Sequence, residues 1–197
     1  MEVNPILMNA LKENRNQITT AQIQKLGFSR TMLLKYVENG LLVRVGRGVY
    51  TLPDSVVDDM YLLQRRSDKI IFSHDTALFL NHLSDRTPFI HSITIPSNAS
   101  VSRELKEECI CYYIKPELHL LGVEEKETTF GNSVRCYNPE RTLCDFLRSR
   151  NRCDEEMVLN AIKNYAAYKK KDLNRLAEYA DAFRVSKILR KYMEVLL

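Results

Sequence analysis

The chain has 197 residues, enough for one or two domains with a buried core. Its 45% hydrophobic and 27% charged residues are those of a soluble globular protein. No run approaches the roughly 18 apolar residues of a membrane span, and the amino terminus lacks a signal-peptide pattern, so a cytoplasmic protein with no membrane partner is expected.

The net charge of +4 is unevenly spread: residues 1–55 carry +3, residues 56–147 carry −4 and residues 148–197 carry +5. A basic head and tail flanking an acidic middle predict two anion-seeking surfaces, the alternative being solvated helix faces. The five cysteines are an odd number without a C-x-x-C pair, so reduced thiols and no zinc or other metal site are expected.

In chain order, Pro5 to Glu13 forms a first helix with Ile6, Leu7, Ala10 and Leu11 on one apolar stripe. Thr20 can cap a second helix, and Thr19 with Gln22 fits a capping box. Ile23 and Leu26 supply that helix's apolar side and Gly27 stops it. Ser29 caps a third helix that runs to Asn39 and stops at Gly40, with Leu33, Tyr36 and Val37 spaced to pack on Ile23 and Leu26. Leu41 to Val45 then alternates, Gly46-Arg47-Gly48 turns, and Val49 to Leu52 returns. Helix, turn, helix and hairpin in this order define a winged helix-turn-helix domain, closed by Pro53-Asp54-Ser55.

Such a domain reads DNA if its third helix carries donors on the side that faces a major groove. Arg30, Thr31, Leu34, Lys35 and Glu38 fall opposite Leu33 and Val37. Ser29, Arg30 and Thr31 occupy the first turn, where free backbone N–H groups attract phosphate. The wing adds Arg44 at its base and Arg47 at its tip, suited to backbone or minor-groove contact. The candidate DNA-binding set is therefore Ser29, Arg30, Thr31, Lys35, Arg44 and Arg47. A winged helix used only for protein contacts is the competing expectation.

Beyond Val56 to Arg66, a connecting helix, the chain reads as mixed α+β. Strands are expected at Ile70 to Phe72, His91 to Pro96 and Cys109 to Ile114, with helices at Ser73 to Leu83 and Ser102 to Glu108. Gly122 to Thr129 and Ser133 to Tyr137 flank Gly131-Asn132, which suits a tight hairpin turn. Asn138 caps a helix with Pro139 at its first position and Leu143, Phe146 and Leu147 on its buried side. Helices from Asp154 to Tyr168, Asp172 to Ala182 and Val185 to Leu196 finish the chain, the last with Leu189 and Leu196 inward. This helical tail offers a second basic set: Lys169, Lys170, Lys171, Arg175, Arg184, Lys187, Arg190 and Lys191. Arg184, Lys187 and Lys191 are spaced to share one side of the final helix.

No catalytic constellation is legible. The four histidines lie in no metal motif, Asp145 has no recognisable partner, and no phosphate-cradling or dinucleotide fingerprint occurs, so no enzyme and no cofactor are expected. The stretch from Ile18 to Leu52, with its wing G-L-L-V-R-V-G-R-G-V-Y, resembles the amino-terminal domain of AbiEi-family antitoxins. Chain length, the mixed middle and the run Y-N-P-E-R-T-L-C-D-F-L from Tyr137 to Leu147 agree with that layout. The resemblance implies a DNA-binding antitoxin of a type IV toxin–antitoxin system, active in abortive phage infection. It also implies repression through an inverted-repeat operator of its own operon, and a nucleotidyltransferase-like toxin opposed without a stable complex. Residues 1–55 would then bind double-stranded DNA and residues 56–197 would be the antitoxin domain. A plain winged-helix regulator with a ligand-sensing or dimerising second domain is the alternative, followed by a DNA-guided nuclease.

Overall fold

The computed structural model describes residues 2–196, leaving aside the side chains at 193, 195 and 196; the expectation for Leu196 thus lies outside the described residues. The chain divides into two compact units. The first runs to Ser67 and includes the distant segment Thr128–Asn132, while the second takes Asp68–Glu127 and continues from Ser133.

The first unit begins with α1 (Pro5–Glu13), where Asn4 Oδ1 accepts the Ile6 N–H at 2.9 Å and Pro5 occupies the first helical turn. Leu7 and Leu11 are fully buried, whereas Ile6, expected on the same stripe, is 58% exposed. A short strand β1 (Gln17–Thr19) follows, which periodicity does not reveal at three residues. Helix α2 (Thr20–Lys25) is capped by Thr19 rather than Thr20: its Oγ1 accepts the Gln22 N–H at 3.2 Å, and Gln22 Oε1 accepts the Thr19 N–H at 2.8 Å. Helix α3 (Arg30–Glu38), strand β2 (Val43–Gly46) and strand β3 (Val49–Thr51) complete the motif. The strands form an antiparallel sheet in the order β1-β3-β2. Leu7, Leu11, Ile18, Ile23, Leu33, Tyr36, Leu42 and Tyr50 make one core. Leu26, expected in that core, is instead 38% exposed. Helix-stop glycines stand where expected, Gly27 at φ 85° and Gly40 at φ 66°.

Helix α4 (Asp59–Gln64) is shorter than the expected Val56–Arg66, because Asp58 caps it: Oδ1 accepts the Tyr61 N–H at 3.1 Å. Asp58 is fully buried, and its Oδ2 accepts hydrogen bonds from Thr128 Oγ1 at 2.6 Å and Asn132 Nδ2 at 2.8 Å. A segment far along the chain therefore completes the first unit.

The second unit contains β4 (Ile71–Phe72), α5 (His74–Leu80), β5 (His91–Pro96), α6 (Arg103–Glu108), β6 (Cys109–Ile114), α7 (Pro116–His119), β7 (Val123–Glu127) and β8 (Ser133–Tyr137). It ends with α8 (Pro139–Arg148), α9 (Glu155–Ala167), α10 (Leu173–Ala182) and α11 (Ser186–Leu196). The mixed sheet has the order β6-β5-β4-β8-β7, parallel at β5–β6 and β4–β8 and antiparallel at the other two pairs. Helix α5 stops at Leu80, short of the expected Leu83, because Asn81 Nδ2 donates to Ala77 O and Tyr137 O, both at 2.8 Å, and His82 turns to φ 55°. Pairing of Glu127 with Ser133 leaves residues 128–132 as the β7–β8 connection, so the tight Gly131-Asn132 turn is replaced by a five-residue loop. The fold is α+β, a winged helix-turn-helix followed by a mixed unit with a helical tail.

Helix α8 departs most from its pattern. Every residue from Pro139 to Leu147 is buried, so it has no solvated side along that length. Asp145, expected to stand alone, accepts from Arg141 Nε at 3.1 Å, and neither side chain touches solvent. Arg141 Nη1 also donates to Leu118 O at 2.8 Å and Leu121 O at 2.7 Å, and its guanidinium lies over the Tyr137 and Phe183 rings. Burial pushes the Asp145 carboxyl above its ordinary range, and the positive charges of Arg141 and Arg148 oppose that rise. Removing one partner strands the other. Arg141→Met should therefore cost about 3–5 kcal/mol in full-chain urea unfolding, where a surface arginine such as Arg103 replaced by methionine should change little.

Candidate nucleic-acid interface

The geometry of the first unit follows from two caps. The Thr19–Gln22 box fixes where α2 starts, and Gln22 Nε2 donates to Asn14 Oδ1 at 2.9 Å, tying it to the end of α1. Ser29 Oγ accepts the Met32 N–H at 3.2 Å, so α3 starts one residue after a defined extended cap. At the far end of α3, Asn39 donates both its backbone N–H and its Nδ2 to Lys35 O, at 3.0 and 2.7 Å. Leu33 and Tyr36 turn into the core, and the Tyr36 hydroxyl accepts the Asn4 N–H at 3.2 Å. The helix is thereby locked in rotation.

That rotation leaves Ser29, Arg30, Thr31, Leu34, Lys35 and Glu38 exposed. The expected outward set is brought together on one short helix. Leu34 was placed on that side by spacing but left out of the contact set; at 51% exposure it is an apolar group among donors. The wing is irregular where it matters. The β2–β3 register shifts between Arg44 and Gly46, and Arg44 Nε reaches forward to Gly46 O at 3.2 Å. This holds the Arg44 guanidinium along the wing, while Arg47 projects at the exposed turn. Thr20 Oγ1 donates to Gly48 O at 3.3 Å, and the Thr20 N–H to the same oxygen at 2.9 Å, so the start of α2 anchors the wing turn.

The tail residues fare differently. Lys169, Lys170, Arg184, Lys187, Arg190 and Lys191 are exposed. Lys171 is drawn in, its Nζ donating to Ala166 O at 2.7 Å near the end of α9. Arg175 lies 3.6 Å from Asp172 and 4.0 Å from Glu124, which offsets part of its charge. Arg184 is outside the last helix: it has φ 58° in the turn before α11, so it does not share a helical side with Lys187 and Lys191 as expected. Of the eight-residue basic set, six side chains remain free of these engagements, and Arg184 is separated from α11 by its backbone.

Among the described residues, no group of three His, Cys, Asp or Glu side chains converges as metal ligands would. All five cysteines are unpaired with one another. Among the described residues, no helix is long and apolar enough to cross a membrane.

Residues 6–53, spanning α1 to just past β3, match the family model described as "Transcriptional regulator, AbiEi antitoxin". The winged unit is thus similar to the transcriptional-regulator domain of that family, and the match supports an AbiEi-family antitoxin. The crystal structure of RV2827C protein from Mycobacterium tuberculosis is similar with a TM-score of 0.62, covering 95% of this chain and 75% of that one. The two are 14% identical, so the likeness is one of fold. Comparison with curated proteins gives no match.

Because the α3 N-terminus depends on one hydroxyl, Ser29→Ala should lower stability by about 1 kcal/mol in denaturant unfolding, with Ser29→Gly costing only a few tenths. Equal losses for the two variants would show that the cap is not what orders α3.

Proposed function

We propose that this protein is the DNA-binding antitoxin of a type IV toxin–antitoxin system. In this reading it represses its own operon through the winged unit and counteracts a nucleotidyltransferase-like toxin through the remainder of the chain. The observation that carries the DNA half is α3: a capped, rotationally fixed helix that exposes Arg30, Thr31, Leu34 and Lys35 together, within the span that matches the regulator family.

Arg30 and Lys35 donate to guanine edges in the major groove, and Leu34 meets a thymine methyl. Ser29, whose oxygen already accepts from Met32, keeps its hydroxyl hydrogen for a phosphate beside the helix start. Arg44 and Arg47 contact the backbone or the minor groove next to the wing. The exposed cations of the tail, Lys169, Lys170, Lys187, Arg190 and Lys191, extend the phosphate track on flanking DNA. The toxin half rests on the resemblance of the winged domain and of the Tyr137 to Leu147 run.

In gel shifts with the duplex upstream of its own gene, Arg30→Ala or Lys35→Ala should each cost about 1–3 kcal/mol and relax sequence preference. Arg47→Ala should weaken all sequences alike and reduce the slope of affinity against salt by about one. Undiminished operator binding by the triple variant would overturn the interface. The same full-length triple variant, expressed beside the toxin, should still protect colonies while a promoter reporter is released. Failure of the wild-type chain to protect would leave a plain winged-helix regulator as the function.

A further inference from the structure

Strand β6 is the outer strand of its sheet, pairing with β5 on one side and with no described strand on the other. Two arginines from the end of α8 and the turn after it reach this strand. Arg148 Nη1 donates to Tyr113 O and Arg152 Nη2 to Cys111 O, both at 3.3 Å. Those bonds orient the two guanidinium groups without neutralising them, since a carbonyl carries no net charge.

Their remaining contacts leave part of the charge uncompensated. The Arg152 guanidinium lies 4.7 Å from the centre of the Tyr112 ring. Arg148 Nη2 is 3.8 Å from Asp145 Oδ1, but Asp145 is already engaged by Arg141, and Arg148 Nε is buried with no protein partner. The neighbouring His74 is stacked on Tyr112 at 3.5 Å, and burial first, then the charges of Arg148 and Arg141, hold its imidazole well below the usual range. Opposing this are Asp145, the Asp75 carboxylate that acts on Tyr112 and Cys153, and about half a negative charge at the C-terminus of α8. The three guanidiniums of Arg141, Arg148 and Arg152 outweigh these.

The arginines border a cleft of about 290 Å³ lined by Tyr112, Tyr113, Arg148, Ser149, Asn151 and Arg152. That volume lies just below the usual range of ligand pockets, which run from roughly 300 Å³ upward, and suits only a small ligand. A guanidinium fork matches the oxygens of a phosphate, and two forks four residues apart can share one. Tyr113, 38% exposed on the same wall, offers a planar face on which a base can stack. Ser149 and Asn151 add side chains able to donate and accept beside it.

We propose that this cleft binds a nucleotide, its phosphate held by Arg148 and Arg152 and its base stacked on Tyr113. The site is separate from the winged unit and stands whether or not the toxin reading holds. Its nucleotide comes either free or as a unit of a single strand, which share this chemistry.

The test is calorimetric titration of the full-length protein with the four ribonucleoside monophosphates, adenosine, ribose 5-phosphate and a single-stranded tetranucleotide. At least one monophosphate, or the tetranucleotide, should bind saturably at millimolar concentration or below. Tighter binding of the monophosphate identifies a free ligand, and tighter binding of the tetranucleotide identifies a strand. Arg152→Gln keeps a donor for the Cys111 carbonyl while removing the charge, and should weaken binding roughly tenfold or more. Tyr113→Ala should weaken the nucleotide by a similar factor and leave ribose 5-phosphate unchanged. Melting temperature and operator binding, measured on each variant, establish that it is folded. Absence of saturable binding overturns the proposal, as does binding unaffected by Arg152→Gln. Adenosine binding as tightly as its phosphate, or Tyr113→Ala weakening ribose 5-phosphate and nucleotide equally, overturns it too.

Discussion

A guanidinium with no exposure to solvent organises the second unit. Arg141 engages Asp145 one helical turn away, two carbonyls in the stretch from Leu118 to Leu121, and the faces of Tyr137 and Phe183. A buried charge is costly unless paired and hydrogen-bonded; Nε and Nη1 find acceptors while Nη2 has none, so the elements that supply those acceptors must hold their places together. That requirement joins β8, α8, α10 and the α7 turn around one point. Gly122 belongs to the same arrangement: a Cβ there would approach Arg141 Cβ to 2.7 Å, so only glycine lets the chain pass behind the arginine. The apolar cluster of Leu143, Phe146, Leu147, Ile162 and Leu176 then packs around α8 from several sides.

The first unit relies on a different economy. Its core is small, and its precision comes from hydroxyl and amide caps that fix where each helix begins and ends. Thr19, Gln22, Ser29 and Asn39 each satisfy backbone groups that a helix terminus leaves open. Because Leu33 and Tyr36 seat α3 at one rotation, the outward residues are set by geometry that does not involve them. Apart from the cap Ser29, their side chains are free to vary at little cost to the fold, which suits a surface whose work is recognition.

Much of this was legible in the residues. Caps and stop glycines are local chemistry, so the capping box, the Ser29 cap and the ends of α2 and α3 could be read directly. Alternation located β5, β6 and β8, and the outward side of α3 followed from helical spacing. What could not be read was non-local. Strand β1 exists because β3 pairs with it, and Asn81 ends α5 by reaching Tyr137 across 56 residues of sequence. The Arg141–Asp145 spacing of four was present in the sequence, yet nothing local says that both are buried. Helical periodicity suggested one inward side for α8, and only the packing of later helices covers the other. Leu26 and Ile6 failed for the opposite reason, since spacing nominates more apolar positions than a small core can cover. Of the candidate surfaces, the α3 face was fully legible, whereas the arginine cleft beside β6 was not, because it joins positions 112 and 152 only in the folded chain.

The five residues from Thr128 to Asn132 also set a timetable. They supply two of the donors to the buried Asp58, so the first unit is incomplete until residue 132 has been synthesised. By then about two-thirds of the 197-residue chain has been made. Domains in general begin folding from the amino terminus as synthesis proceeds. Here α4 would wait with the Asp58 Oδ2 unanswered while β4 through β7 are made, and the nascent winged unit would be held short of its final stability. A ribosome stalled between codons 67 and 132 would carry a unit whose helices are all translated but whose last side-chain donors are missing.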